Sequence, residues 1–145
     1  MLKTEITGVS EYLDGLTRMA SACSDWIGPS YIVTDCYDRT GFAAEFSEWF
    51  GLADPVQIIP AQETLQQVFT EWLGESNQIA ENLLYLISCR LGEPVRVYRA
   101  SEEEELIDSL SACSHDGIGV FYFMEDICFA EFQEVMVCFM LGNNE

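Results

Sequence analysis

The single histidine of the chain, His115, lies two residues after Cys113 and directly before Asp116. A thiol next to an imidazole is the pair that cysteine enzymes use, because the imidazole takes the thiol proton and leaves a thiolate nucleophile. The same side chains are also zinc-ligand types, but the sequence has no second histidine, so we predict no metal site. A histidine in a loop before a glycine turn equally suits a plain connection between elements.

Other segments that could carry chemistry are weaker. Cys36 and Arg39 have only two residues between them, too few for a loop that wraps a phosphate, so we expect Arg39 to pair with an acid instead. The chain contains neither a Gly-rich phosphate loop nor a nucleophile elbow nor an HExxH motif, and we therefore predict no cofactor. Glu131 interrupts an apolar strand pattern. It needs a partner or a raised pKa if it is buried, and otherwise it faces solvent.

Segment 101–108 has two compatible interpretations. Ser101 and Glu104 have the spacing of a capping box, and carboxylates in a first turn favour the helix dipole. Capping does not require four consecutive glutamates, however. The acids that we expect to be solvated form a candidate docking ridge for a basic partner: Glu102, Glu103, Glu105 and Asp108.

The chain repeats one five-residue phrase three times, as SDWIG, SEWFG and TEWLG, with its three tryptophans 23 residues apart at Trp26, Trp49 and Trp72. One interpretation is three helices that end in the same way, with each tryptophan half-buried in a last turn. A duplicated strand–helix unit is the alternative. Because Trp is enriched at binding hot spots, the three are also candidates for a partner-binding surface.

Composition limits the classes of partner. The formal net charge is −19, from 25 acidic residues against 6 Lys and Arg, and 49% of the residues are hydrophobic. Such a chain repels nucleic acid and anionic membranes and attracts basic proteins. No apolar run reaches the roughly 18 residues of a membrane span, and residues 1–8 lack a signal peptide's apolar region, so we predict a cytoplasmic protein. Its six cysteines include no Cys-x-x-Cys pair and are expected to be reduced, mostly small core residues.

The sequence pattern predicts that the elements carrying these residues form an α+β fold in one domain, residues 1–145. Periodicity indicates about five helices, with Ser10 and Ser101 as the caps of the first and last. Gly28, Gly51, Gly74 and Gly92 are each expected just past a helix, where glycine adopts a left-handed conformation at no cost. The helices pack on a mixed sheet that ends in an antiparallel meander of three strands, with short connections at 125–126 and 133–134. The last strand is apolar on both faces, which indicates a strand covered on both sides or an interface, including a homodimer through the C-terminal strands.

Two function classes remain. The first is a non-enzymatic acidic binding or inhibitor protein, like an immunity protein, that captures a basic partner such as a toxin nuclease. The second is a small-ligand-binding module or a cysteine/histidine-dependent enzyme that uses segment 113–116. Size, charge and the lack of a catalytic motif favour the first.

Overall fold

Five helices and five strands form the part of the chain that the computed structural model describes, residues 2–75, 78–115 and 121–145. In chain order they are α1 (Lys3–Cys23), β1 (Tyr31–Asp38), α2 (Phe42–Trp49), β2 (Ile58–Pro60), α3 (Leu65–Leu73), α4 (Ile79–Leu91), β3 (Arg96–Ala100), α5 (Glu103–His115), β4 (Phe123–Glu131) and β5 (Val135–Asn143). The predicted α+β class and the number of helices are confirmed.

The strands form one sheet in the order β1-β5-β4-β3-β2, and every neighbouring pair is antiparallel. The sheet is therefore not mixed as predicted: the strand–helix units of the first half place β1 and β2 at opposite edges, where they cannot pair. β5 is paired on both sides, and its first eight residues are buried. An apolar last strand covered on both faces is confirmed. β5 is paired along both edges, but β4 pairs with β3 only from Phe129 to Glu131, so the homodimer through the C-terminal strands stays a prediction.

Two apolar cores lie on opposite faces of the sheet. The first core contains side chains of α1, α3, α4 and β5, such as Leu13, Phe69, Ile87 and Phe139. The second core joins α2 and α5 to the other face. The three-layer arrangement uses the period-2 alternation of β5, which sends successive apolar side chains to different cores.

The N-terminal half of β4 departs from the predicted meander. We expected a turn at residues 125–126, but Phe123–Glu131 is one strand with a β-bulge between Met124 and Asp126. The bulge accommodates two charged residues near the end of the sheet without ending the strand. Residues 118–120, the start of the predicted three-strand meander, lie outside the described residues. The hairpin between β4 and β5 is confirmed.

Three of the predicted helix ends are confirmed, and the other predicted helix boundaries differ from the structure. Gly51, Gly74 and Gly92 follow α2, α3 and α4 with positive φ, as expected. Gly28 also has a positive φ, but α1 ends at Cys23 and the glycine lies in the loop beyond. Two predicted caps are wrong as well: α1 already begins at Lys3 rather than after Ser10, and α5 begins at Glu103, with the Glu102 carbonyl accepting from the Leu106 N–H.

Helix α1 covers the outer edge of β1 with polar side chains. The Ser21 hydroxyl accepts from the Ile32 N–H at 2.9 Å, and a carboxylate oxygen of Asp14 accepts from the Thr34 N–H at 3.1 Å. These N–H groups point away from β5 and would otherwise remain available to another strand. The helix thus blocks part of an edge that could pair with a second chain.

Candidate functional site

The three tryptophans occupy different environments. Trp72 is 4% exposed and its Nε1 donates to Asp126 at 2.8 Å, whereas Trp26 is 73% and Trp49 is 66% exposed. Trp72 is therefore a core residue with little surface to offer a partner, and its role in partner binding stays a prediction. Trp26 lies in the loop after α1 rather than in a helix, and Trp49 ends α2 but points away from the core formed by Phe42, Phe46 and Phe50. The three do not form one surface by repetition.

The first and third copies of the repeated phrase contact each other. The Ser24 hydroxyl donates to the Leu73 carbonyl oxygen at 2.7 Å and accepts from the Trp26 N–H at 3.3 Å. The Trp26 side chain lies against Gly74, where a Cβ atom would come within 3.0 Å of the Cβ of Trp26. The second copy lies on the opposite face of the sheet, with α2. The copies therefore do not occupy equivalent positions, although two of them jointly fix one exposed indole.

Trp26 borders a cleft of about 310 Å³, which we call the Trp26 cleft. Its lining consists of Trp26, Ile27, Ser30, Glu71, Trp72, Glu125, Asp126 and Leu141. The Ser30 hydroxyl donates to the carboxylate of Glu125. Glu125 is the extra residue at the β4 bulge, which directs Glu125 and Asp126 to this cleft while Met124 stays in the second core. An exposed indole thus lies among three carboxyl groups.

A half-buried arginine holds the acids behind this cleft in place. Arg99, whose side chain is 16% exposed, contacts Glu63 at 2.6 Å, Asp126 at 2.7 Å and Glu103 at 3.3 Å. It also donates to the Ile127 carbonyl oxygen. One guanidinium therefore serves three carboxylates, and the cluster keeps a net negative charge. Burial is the main cause that raises the pKa of Glu103.

The predicted acidic ridge on α5 is present in part. Glu102, Glu105 and Asp108 are exposed, as expected. Glu103 is half-buried and paired with Arg99, so the expectation that it is free in solvent is wrong: the first turn of α5 adjoins the end of β3, which brings the Arg99 side chain within reach. Through Arg99 and Asp126, the start of α5 is connected to the Trp26 cleft.

The second exposed tryptophan borders a separate cleft of about 320 Å³, the Trp49 cleft, at the outer edge of β1. Ser10, Glu11, Asp14, Val33, Thr34, Asp35 and Trp49 line it. Asp14 is paired with Arg18 at 2.8 Å, but the half-buried carboxyl of Asp35 has no partner among the described residues. Burial and then the charge of Asp14 raise the pKa of Asp35 to about 6.

The alternative catalytic segment, residues 113–116, lies mostly outside the described residues. The backbone of Cys113 and His115 belongs to the last turn of α5, not to a loop, and their side chains and all of Asp116 lie outside the described residues. Of the other cysteines, Cys36, Cys128 and Cys138 are buried as predicted, and Cys23 and Cys89 are exposed.

Glu131 has the partner that the sequence demanded. Its carboxylate is 13% exposed, contacts Arg39 at 2.7 Å and accepts from the Tyr98 hydroxyl at 2.9 Å. The prediction that Arg39 pairs with an acid is confirmed. Arg39 and Glu131 lie at the end of the sheet away from the Trp26 cleft, next to the start of the β4–β5 hairpin.

The comparisons give no relative. No family model, curated protein or solved structure matches the chain. Within the described ranges, no three Cys, His, Asp or Glu side chains are grouped so that they could hold a metal ion. None of the described helices is both long and apolar enough to cross a membrane.

Sequence reasoning missed the acids that lie beside the exposed tryptophans. Asp35 interrupts an apolar strand in the same way as Glu131, so the signal that singled out Glu131 was available for it too. Glu125 and Asp126 were assigned to a turn, and Glu71 was passed over as a surface residue of α3. Their proximity to Trp26 comes from contacts between residues far apart in the chain, which no local pattern indicates.

Proposed function

We propose that the protein is a non-enzymatic, cytoplasmic binding protein that captures a basic protein partner, with the Trp26 cleft as its main contact surface. The observation that carries the proposal is the position of Trp26. Its indole is 73% exposed, rests on Gly74 and lies in a cleft with Glu71, Glu125 and Asp126. Arg99 neutralises Asp126, but Glu71 and Glu125 have no ion-pair partner in the described part of the chain. A large indole left in water beside such acids is costly for solubility and useful for binding a cationic surface.

The negative charge and the Trp26 indole would act at different distances from the partner. The net charge of −19 attracts a basic partner from afar, with a screening length of about 8 Å at physiological salt. Trp26 then supplies short-range energy, since desolvated indoles are typical hot spots. Exposed acids at the end of α3 (Glu71, and Glu75 just after it) and at the start of α5 (Glu105, and Glu102 just before it) extend the negative surface around the Arg99 cluster. Charge would mainly govern the association rate, and the indole would mainly govern dissociation.

Inhibition of a basic enzyme, as an immunity protein inhibits a toxin nuclease, is the specific form of binding that we propose. Its support is a likeness of size and charge together with the Trp26 cleft. A basic nuclease must present a cationic surface to bind nucleic acid, and an acidic surface with an aromatic anchor can compete for it.

The test is affinity capture from cell lysate at about 50 and 300 mM salt, followed by association and dissociation kinetics with the captured partner. The variant Glu71→Lys/Glu75→Lys reverses two exposed charges on the Trp26 side of the molecule, and Trp26→Ala removes the anchor. We expect the first to slow association at least about tenfold at low salt and the second to speed dissociation by a similar factor.

The matched control reverses two exposed acids that line neither cleft, Asp54→Lys/Glu93→Lys. It changes the net charge by the same amount. Equal slowing in the control and the Trp26-side variant would mean that net charge alone drives association. Capture that survives about 300 mM salt and Trp26→Ala unchanged would contradict the proposal.

A further inference from the structure

The Trp49 cleft has the composition of a site for a cationic side chain. It lies at the outer edge of β1, between α1 and the end of α2, and is separate in its lining residues from the Trp26 cleft. One wall is the exposed indole of Trp49, and Val33 adds apolar surface. Every charged residue that lines it is acidic: Glu11, Asp14 and Asp35.

Two of the lining residues carry a side-chain polar group that has no partner among the described residues. Thr34 is 2% exposed, and its hydroxyl has no hydrogen-bond partner among the described residues. The half-buried carboxyl of Asp35 is likewise unpaired in the part of the chain that the structure describes, whereas the other acid that interrupts a strand, Glu131, is satisfied by Arg39 and Tyr98. The Thr34 hydroxyl is closed to solvent, so the group that a ligand in the cleft would pair with is the half-buried carboxyl of Asp35.

The chemistry of the missing partner follows from these groups. Asp14 already binds the Arg18 guanidinium and the Thr34 N–H, which leaves Asp35, Glu11 and the hydroxyl of Ser10 as acceptors. A guanidinium offers five N–H donors in one plane and stacks on an indole, so it satisfies carboxylate, hydroxyl and ring together. An ammonium group satisfies the carboxylate but stacks less well.

We infer that the Trp49 cleft binds an arginine side chain presented by the basic protein partner, with its guanidinium paired to Asp35 and stacked on Trp49. The inference rests on the proposed function only for the source of the arginine. It implies that the partner is engaged at two places along the molecule, at Trp26 and at Trp49. The raised pKa of Asp35 agrees with a carboxylate that lacks its counter-charge in the free protein.

The test follows the Trp49 indole N–H resonance by NMR during titration with the peptide acetyl-Gly-Arg-Gly-amide. Trp49→Phe and Trp26→Phe assign the resonances. The same peptide with citrulline, a neutral isostere of arginine, is the ligand control. We expect saturable shifts of the Trp49 resonance with the arginine peptide, little change with citrulline, and no saturable shift of the Trp26 resonance on the same concentration scale.

Variants separate a site from general attraction. Asp35→Asn should weaken binding of the arginine peptide about tenfold, as expected for the loss of a charged hydrogen bond. Thr34→Val should leave the affinity within about twofold, because the Thr34 hydroxyl is buried away from the cleft. Asp38→Asn removes one charge from the same strand outside the cleft and should stay within about twofold. Folding of each variant is checked by its thermal midpoint, and Asp35→Asn and Thr34→Val are expected to fold because each removes an unpaired group.

Three results would overturn the inference: equal shifts with the citrulline peptide, wild-type affinity in Asp35→Asn, or binding of spermidine as tight as that of the arginine peptide, which would make a free polyamine the occupant. The outcome is distinguishable from the test of the proposed function. Failure to capture a basic partner would leave the peptide titration unaffected, and a silent Trp49 resonance would leave capture through the Trp26 cleft standing.

Discussion

The Ser24 hydroxyl donates a 2.7 Å hydrogen bond to the carbonyl oxygen of Leu73, 49 residues away, and thereby joins the loop that carries Trp26 to the end of α3. The bond is buried, and it orients the backbone that presents the indole, since the same hydroxyl accepts from the Trp26 N–H. The exposed position of Trp26 is thus imposed by the fold and is not the result of a loose loop.

Removal of this hydroxyl should cost both stability and the position of the indole. Ser24→Ala leaves the Leu73 carbonyl without its side-chain donor, so we expect a loss of about 1–2 kcal/mol in the free energy of unfolding and a change in Trp26 fluorescence. Urea denaturation measures the first. Ser109→Ala, at an exposed position of α5, is the control and should change stability by less than about 0.5 kcal/mol. Equal losses in the two variants would contradict the role of Ser24.

Two glycines should respond to alanine with opposite signs. At Gly142, in β5, an added Cβ would lie 2.5 Å from the Phe123 carbonyl oxygen, a backbone atom that cannot move freely, so Gly142→Ala should destabilise by about 1–3 kcal/mol. Gly15, exposed in α1, has open space around it, and Gly15→Ala should stabilise by about 1 kcal/mol. Thermal and urea unfolding of both variants check the pair. A tolerated Gly142→Ala would show that β4 and β5 are further apart than described here.

Asp35 should make the protein less stable as the pH rises. Burial and the charge of Asp14 raise its pKa from the ordinary value to about 6, so the folded state holds this proton more tightly than the unfolded state does. Its contribution to stability therefore falls between about pH 4 and pH 6. Asp35→Asn should raise the free energy of unfolding at pH 7.5, on the order of 2 kcal/mol, with a gain about 1 kcal/mol smaller at pH 5.

The control for this prediction is Asp38→Asn on the same strand. Hydrogen bonds from Thr40 lower the pKa of Asp38, so its charged form is favoured in the folded state and its removal should bring no gain at pH 7.5. Urea denaturation at both pH values decides the matter. An Asp35→Asn variant that is less stable than wild type at pH 7.5 would mean that Asp35 has a partner in the folded chain.

Arg99 should contribute far more than Arg18 to the free energy of unfolding, although both are paired with acids. Arg99→Met leaves the partly exposed Glu63, Glu103 and Asp126 close together without their shared cation, and we expect a loss of about 2–3 kcal/mol. Arg18→Met removes an exposed pair with Asp14, and about 1 kcal/mol or less should be lost. Chemical denaturation at low and high salt compares the two. Similar losses would show that the Arg99 cluster is solvated rather than buried.

Local sequence patterns determined most of the secondary structure. Apolar residues at helical spacing located α2, α3 and α4, and glycines with positive φ ended all three, because these signals depend on a few adjacent residues. The uninterrupted apolar run of 135–141 correctly indicated a strand covered on both faces. The turn expected at 125–126 failed because two charged residues between apolar runs suit a bulge as well as a turn, and only pairing with β5 distinguishes them.

The candidate sites were decided by tertiary structure. Three similar phrases gave one buried and two exposed tryptophans, because burial depends on which layer an element joins and not on the five residues themselves. The acids beside Trp26 come from α3 and β4, and those beside Trp49 from α1 and β1. The sequence by itself determined a strongly acidic α+β protein and singled out its three tryptophans as candidates for partner binding. Long-range packing decided which tryptophans remain in solvent and which carboxylates lie beside them, since such contacts join residues that no local pattern relates.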